Sequence, residues 1–160
     1  MTAPAPKLPG ALARVVAALL CTCCMVLSSP DADLWWLCFV GWVPWLYAIE
    51  GLQPRHAFWV GWLTGTVTVF WGFIWLTQLL MRFAGFGPVA AYPVHLLFAL
   101  FQGLQWALPA ALIVWARRRT GRDVLLIAPL AWTAGEALLP HVFPSYMALG
   151  WCRAPLWLQT

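Results

Sequence analysis

Few side chains in this 160-residue sequence could do chemistry, and those few sit among apolar neighbours. At 100° per residue, His95, Ala99, Gln102 and Trp106 fall on one helical face, with Gln105 and Pro109 beside them. A histidine followed by amides can pass a proton or line a polar path. The ordinary alternative is a core histidine satisfied by its neighbours. Pro93 and Pro109 each remove a helical hydrogen bond and free the carbonyls of Val89 and Gln105, which the amides or a water could use. Further along, Pro129, Trp132 and Glu136 share one side of a helix, with Glu136 a single turn from Trp132. A carboxylate in that setting pairs with His95, His141 or Arg153, stays neutral, or lies close enough to an interface to be hydrated.

The usual signatures of a self-sufficient enzyme are missing. There is no G-x-S-x-G elbow, no H-E-x-x-H and no Gly-rich phosphate loop, and His56, His95 and His141 lack metal-ligand spacing with the cysteines. No catalytic residue, no metal and no cofactor is therefore expected. Cys152 has no obvious activating base and reads as structural. Cys21, Cys23, Cys24 and Cys38 lie inside apolar runs and read as small hydrophobes rather than as a disulfide framework.

The elements that must position these residues follow from composition. The chain is 63% hydrophobic and 9% charged, with a mean hydropathy of +0.80, far from the roughly 25% charged residues of soluble domains. Thirteen tryptophans and nine phenylalanines exclude a disordered segment. The net charge of +4 is scattered between apolar runs, which speaks against nucleic acid and for membrane topology. The expected fold is an all-α integral membrane bundle of about five transmembrane helices. A short tail over 1–10 precedes them, and the spans are read at about 11–29, 34–49, 57–81, 89–116 and 124–139. A Pro- and Trp-rich interfacial segment follows over 140–160. The first segment resembles a signal peptide, but large Leu20 before Cys21 and the further apolar runs favour an uncleaved helix. Lys7, Arg14, Arg55, Arg117, Arg118, Arg119 and Arg122 fall on one side, against Arg82 and Arg153 on the other. The N-terminus is then cytoplasmic and residue 160 lies on the outer, periplasmic side of a bacterial inner membrane.

On the segment 57–81, Gly61, Gly65, Thr68 and Gly72 form a small-residue flank suited to helix packing. Thr64, Thr68, Trp71, Trp75 and Gln78 share the adjoining face, which could admit a lipid headgroup or chain, or merely pack against lipid and neighbours.

Several short motifs, in this order, resemble the N-terminal membrane region of apolipoprotein N-acyltransferase. They are Ser29-Pro30-Asp31 followed by Leu34-Trp35-Trp36-Leu37 and Pro44, then Gly61-x-x-x-Gly65 leading to Trp75, then Gly85-x-Gly87-Pro88. Ala128-Pro129-x-x-Trp132-x-x-x-Glu136, Phe143-Pro144 and Pro155-Leu156-Trp157-Leu158-Gln159 follow, so the resemblance covers roughly 12–160. It implies a share in the transfer of a phospholipid acyl chain to the N-terminal cysteine of lipoproteins. In the family a nitrilase-like domain supplies a Glu-Lys-Cys triad, whose cysteine carries the acyl group as a thioester. No position here matches that triad, so the chain resembles the front part of the enzyme, either a truncated product, a fragment or one half of a split system with a separately encoded nitrilase-like domain, and it is expected to be inactive without that domain. Phospholipid and lipoprotein are the substrates implied, and Trp75, Trp132, Glu136, Phe143, Pro144 and Tyr146 are the candidate lipid-facing residues. Two departures stand out. An aromatic commonly follows the family's Phe-Pro, where this chain has Ser145 before Tyr146, and Leu139 stands where an arginine often follows the glutamate.

Two other functions fit the same residues. A small transporter or channel subunit would use His95, Gln102, Gln105 and Glu136 along a water-filled path, and a non-catalytic assembly partner would use the glycine flank around Gly65.

Overall fold

The structure, a computed structural model, describes residues 8–140 apart from 30, 31 and 33. These residues form eight helical segments: α1 (Ala11–Leu27), α2 (Leu37–Val40), α3 (Trp42–Ile49), α4 (Pro54–Gly72), α5 (Trp75–Phe83), α6 (Pro88–Gln102), α7 (Leu104–Thr120) and α8 (Val124–Leu138). Among the described residues there is no strand.

The ends are set locally. Prolines open α4 and α6, where the missing N–H costs nothing and φ is already helical. Gly121, at φ +64°, closes α7 in the left-handed conformation, and its N–H bonds the Arg117 carbonyl at 2.8 Å. Arg117, Arg118 and Arg119 occupy that last turn, where the helix dipole favours cations. Asp123 caps α8 by accepting from the Leu125 N–H at 3.0 Å.

Side-chain contacts fix how the segments run. Arg14, near the start of α1, donates to the carbonyls of Ala48 and Glu50 at 2.7 Å each, so α1 and α3 are antiparallel. A Cβ on Gly61 would meet Ala110 Cβ at 2.7 Å, and one on Gly65 would meet the Trp106 ring at 2.5 Å, so α4 and α7 are antiparallel as well. Gly135 faces Pro109 in the same way, which brings α8 back beside α7. One end of the bundle thus gathers Arg14, Glu50, Arg55, Arg117 and the turn before α8. The opposite end gathers the turn after α1, the loop before Pro88 and the C-terminus of α8.

The uncharged run over 57–81, read above as a single span, is two helices. After Gly72 the axis turns by 57° into α5. Glycine is a weak helix former, and buried Phe73 closes α4 by donating to Val69 O at 2.9 Å while its own carbonyl takes the Leu76 N–H at 2.8 Å. The bend is held from the far side, where Thr77 of α5 bonds His95 of α6. In contrast α6 and α7 run on through Gly103 as one 33-residue helix. Trp62 Nε1 donates to the Leu100 carbonyl at 3.0 Å beside that junction.

Among the described residues this 33-residue helix is the one long and apolar enough to cross a membrane, and the bent pair α4–α5 qualifies as a second if it counts as one span. The remaining apolar helices are shorter. α1 has 17 residues and α8 has 15, about 26 and 23 Å at 1.5 Å per residue, below the roughly 30 Å of a hydrocarbon core.

Polarity is distributed from the inside outwards. Thr22, Thr64, Thr66, Thr68, Thr77, His95 and Gln102 are buried, while Leu12, Leu19, Leu20, Val89, Leu97, Leu125 and Leu130 lie on the exterior. Thr22 and Thr68 bond each other at 3.0 Å across α1 and α4.

Candidate functional site

Four indoles meet at the centre of the bundle. Trp42 and Trp45 come from α3, Trp106 from α7 and Trp132 from α8. Trp42 stacks on Trp106 with centroids 4.9 Å apart and planes at 21°. Trp132 meets Trp42 at 4.2 Å and 70°, and Trp106 at 5.5 Å and 90°. Trp45 is edge-on to all three, at 5.6 to 6.0 Å. Edge-to-face and offset geometries are those the ring quadrupole favours, each worth about 0.5–1.5 kcal/mol beyond area burial. The cluster depends on Gly65, whose missing side chain leaves the space that Trp106 fills.

Glu136 is tied into this cluster. Trp132 Nε1 donates to Glu136 Oε1 at 2.9 Å across one turn of α8, and both residues are half-buried. Glu136 itself lies in the last turn of α8, at the end of the bundle away from the arginines. The buried indole nitrogens of Trp42 and Trp45 have no hydrogen-bond partner among the described residues.

A second polar group lies at the α4–α5 bend. His95 is fully buried, bonds Thr77 Oγ1 through Nδ1 at 2.7 Å and stacks on Phe70 with centroids 4.8 Å apart. Its Nε2, with Thr66 Oγ1, Gln102 Oε1 and Gln105 Nε2, lacks a partner among the described residues. Among those residues no hydrogen bond links His95 to Glu136, whose partner is Trp132. The two ionisable groups of the transport alternative thus sit in separate networks.

The other sequence candidates fall as follows. Gly61 and Gly65 lie at the closest approach of α4 to α7, and Gly72 is the last residue of α4, at the bend. Trp75 opens α5, is exposed, and has its ring centroid 6.0 Å from that of Phe73. Phe143, Pro144 and Tyr146 lie outside the described residues, as do His141, Cys152 and Arg153. Cys21, Cys23, Cys24 and Cys38 are free thiols, and no group of side chains able to hold a metal occurs among the described residues.

Sequence reasoning missed the indole cluster as a unit and the close approaches at Gly103 and Gly135. A Cβ on Gly103 would collide with Thr66 Oγ1, and one on Gly135 would lie 2.7 Å from Pro109 Cγ. The spacing Gly103, Ala107, Ala110 was the available signal, since small residues four and three apart make one flank of a helix.

The arrangement packs four indoles against one another and presents one half-buried carboxylate beside them. Among the described residues no cysteine thiol is hydrogen-bonded to a base, and the hydroxyl that meets one, Thr77 Oγ1 at His95, is buried. No curated protein and no solved structure matches the chain. The family model for the apolipoprotein N-acyltransferase N-terminal domain matches residues 21–160. The chain belongs to the apolipoprotein N-acyltransferase N-terminal domain family.

Proposed function

We propose that this chain is a membrane-embedded lipid-handling region for N-acyl transfer to lipoproteins, with five membrane passes, a cytoplasmic N-terminus and its glutamate-bearing end on the outer face. The observation that carries the reading is the apolar exterior of the bundle, with polar groups buried among an apolar core. Threonines, His95 and Gln102 are inside while leucines and valines cover the outside, the pattern expected where lipid is the solvent. The exterior hydrophobics form an apolar coat that water would not tolerate. The short α1 and α8 then stand nearly upright or draw the bilayer thin around them.

In this reading the indole cluster holds α3, α7 and α8 in register, and Glu136 marks the mouth through which an acyl chain or a lipoprotein's diacylglyceryl-cysteine reaches a nitrilase-like catalytic domain. Trp75, Phe143, Pro144 and Tyr146 would line the approach. The 160 residues hold lipid and leave the acyl-thioester chemistry to the Glu-Lys-Cys triad of that domain.

The test uses the purified chain with a phospholipid carrying a photoreactive acyl chain and a radiolabel. Cross-links should map to α5, α8 and the segment after Leu139, and Trp132→Ala should reduce them at least several-fold. Without light, no hydroxylamine-sensitive acyl adduct should form. A thioester on the chain alone would overturn the division of labour, and cross-links spread evenly over the exterior would overturn the site.

A further inference from the structure

At the arginine-rich end of the bundle, opposite Glu136, the structure has a cleft of about 260 Å³ between α3, α7 and the start of α8. Its walls are apolar, formed among others by Leu46, Ile49, Leu52 and Ile113, and its rim carries Glu50, Arg117 and Arg118. We infer that this cleft binds an anionic phospholipid of the cytoplasmic leaflet, with Arg117 and Arg118 on the phosphate and the apolar walls against the upper acyl chain. It rests on the reading above for the bilayer around the bundle and for the orientation that puts this end in the cytoplasmic leaflet.

Three observations lead there. First, the arginines are available. Arg117 Nη1 reaches Glu50 Oε1 at 3.5 Å, a long contact between side chains that are each about a third exposed, and such pairs contribute little and exchange readily. Arg118 is exposed at the rim, among the described side chains that line the cleft. Second, the third nearby cation is already committed. Arg14 is bound to the carbonyls of Pro9, Ala48 and Glu50, so it fixes the C-terminus of α3 as one wall and leaves the rim's positive charge to Arg117 and Arg118. Third, the chemistry of the cleft is split. A free phosphate would find the arginines but gain nothing from Leu46, Ile49 and Ile113, whereas a phospholipid uses both. Guanidinium forks match phosphate oxygens in pairs, and basic pockets between helices on the cytoplasmic side suit anionic headgroups.

Native mass spectrometry of the whole chain in mild detergent tests this, with phosphatidylglycerol and phosphatidylcholine of identical acyl chains at equal concentration. The chain should retain phosphatidylglycerol preferentially, and excess inorganic phosphate should leave that adduct in place. Each arginine replaced should lower the retention ratio roughly fivefold, so Arg117→Gln with Arg118→Gln together lowers it ~25-fold. Leu52→Trp, which fills the cleft while leaving both arginines, should lower it as well. Should the double variant lose helicity, Arg118→Gln alone keeps the test, because that side chain is exposed. Equal retention of the two lipids by the unaltered chain, an unchanged ratio in a folded arginine variant, or displacement by inorganic phosphate would each overturn the assignment. Photo-cross-linking at Trp132 should be the same in all these variants, so a failure here is separable from a failure of the outer lipid site.

Discussion

At the scale of single residues, the bundle turns on hydrogen atoms that stand where a methyl could. Gly61 faces the Trp106 carbonyl at 2.6 Å from an ideal Cβ and Gly65 faces the indole itself. Backbone cannot step aside, so Gly61→Ala should cost about 1–3 kcal/mol through overpacking. Gly87→Ala, where nothing lies within 4 Å, should be near neutral. Unfolding of both variants in mixed micelles checks the pair, and equal losses would contradict the packing. Thr22→Val removes the hydroxyl that meets Thr68 and should cost about 0.6 kcal/mol, the average for such bonds between membrane helices. The same unfolding assay reads it, and a stabilised variant would contradict the bond. That Trp132 and Glu136 are neighbours was legible beforehand, because residues four apart on a helix share a face, although the sequence left open for Glu136 other settings than accepting from the indole. The company Trp132 keeps was not, since Trp42, Trp45 and Trp106 join it from α3 and α7 and no local spacing encodes a meeting of three chain segments.

At the scale of elements, two devices organise the helices. Arg14 sits in the first turn of its own helix, where a cation is unfavourable, and it serves instead the C-terminus of α3, where carbonyls lack partners. Arg14→Met should therefore destabilise by about 2 kcal/mol and raise hydrogen exchange in the last turn of α3 as well as in α1. Loss confined to α1 would contradict the bridge. The second device is the bend after Gly72, pinned by Thr77 and His95. Thr77→Ser keeps the hydroxyl and should keep the stability, whereas Thr77→Val leaves a buried ring nitrogen without its partner and should cost about 1–3 kcal/mol. Equal behaviour of the two in thermal unfolding would show that the hydroxyl is not what holds α5. The bend was not readable from an uncharged run without an internal proline, because a glycine at 72 permits a turn but only the contacts of α5 with α6 select it.

At the scale of the whole molecule, composition announced an all-helical, apolar chain, and the described residues are helical throughout their ordered elements. The expected five spans were less legible, since α1 and α8 are shorter than a bilayer core and, among the described residues, only the α6–α7 helix and the bent α4–α5 pair are long enough. The proposal that they form one membrane body is supported by the apolar exterior, together with a gradient of charge along the bundle. Arg14, Arg55, Arg117, Arg118, Arg119 and Arg122 stand at one end, and Arg82 at the other. In the proposed membrane setting that asymmetry would set orientation, and orientation would decide whether Glu136 and the segment beyond Leu139 could meet the proposed outward-facing catalytic domain. Alkaline phosphatase, active only after export, fused behind Gly121 and behind Pro140 measures this directly. The account predicts an inactive fusion at Gly121 and an active one at Pro140, whereas the reverse pattern, or activity at neither site with full expression, would contradict it.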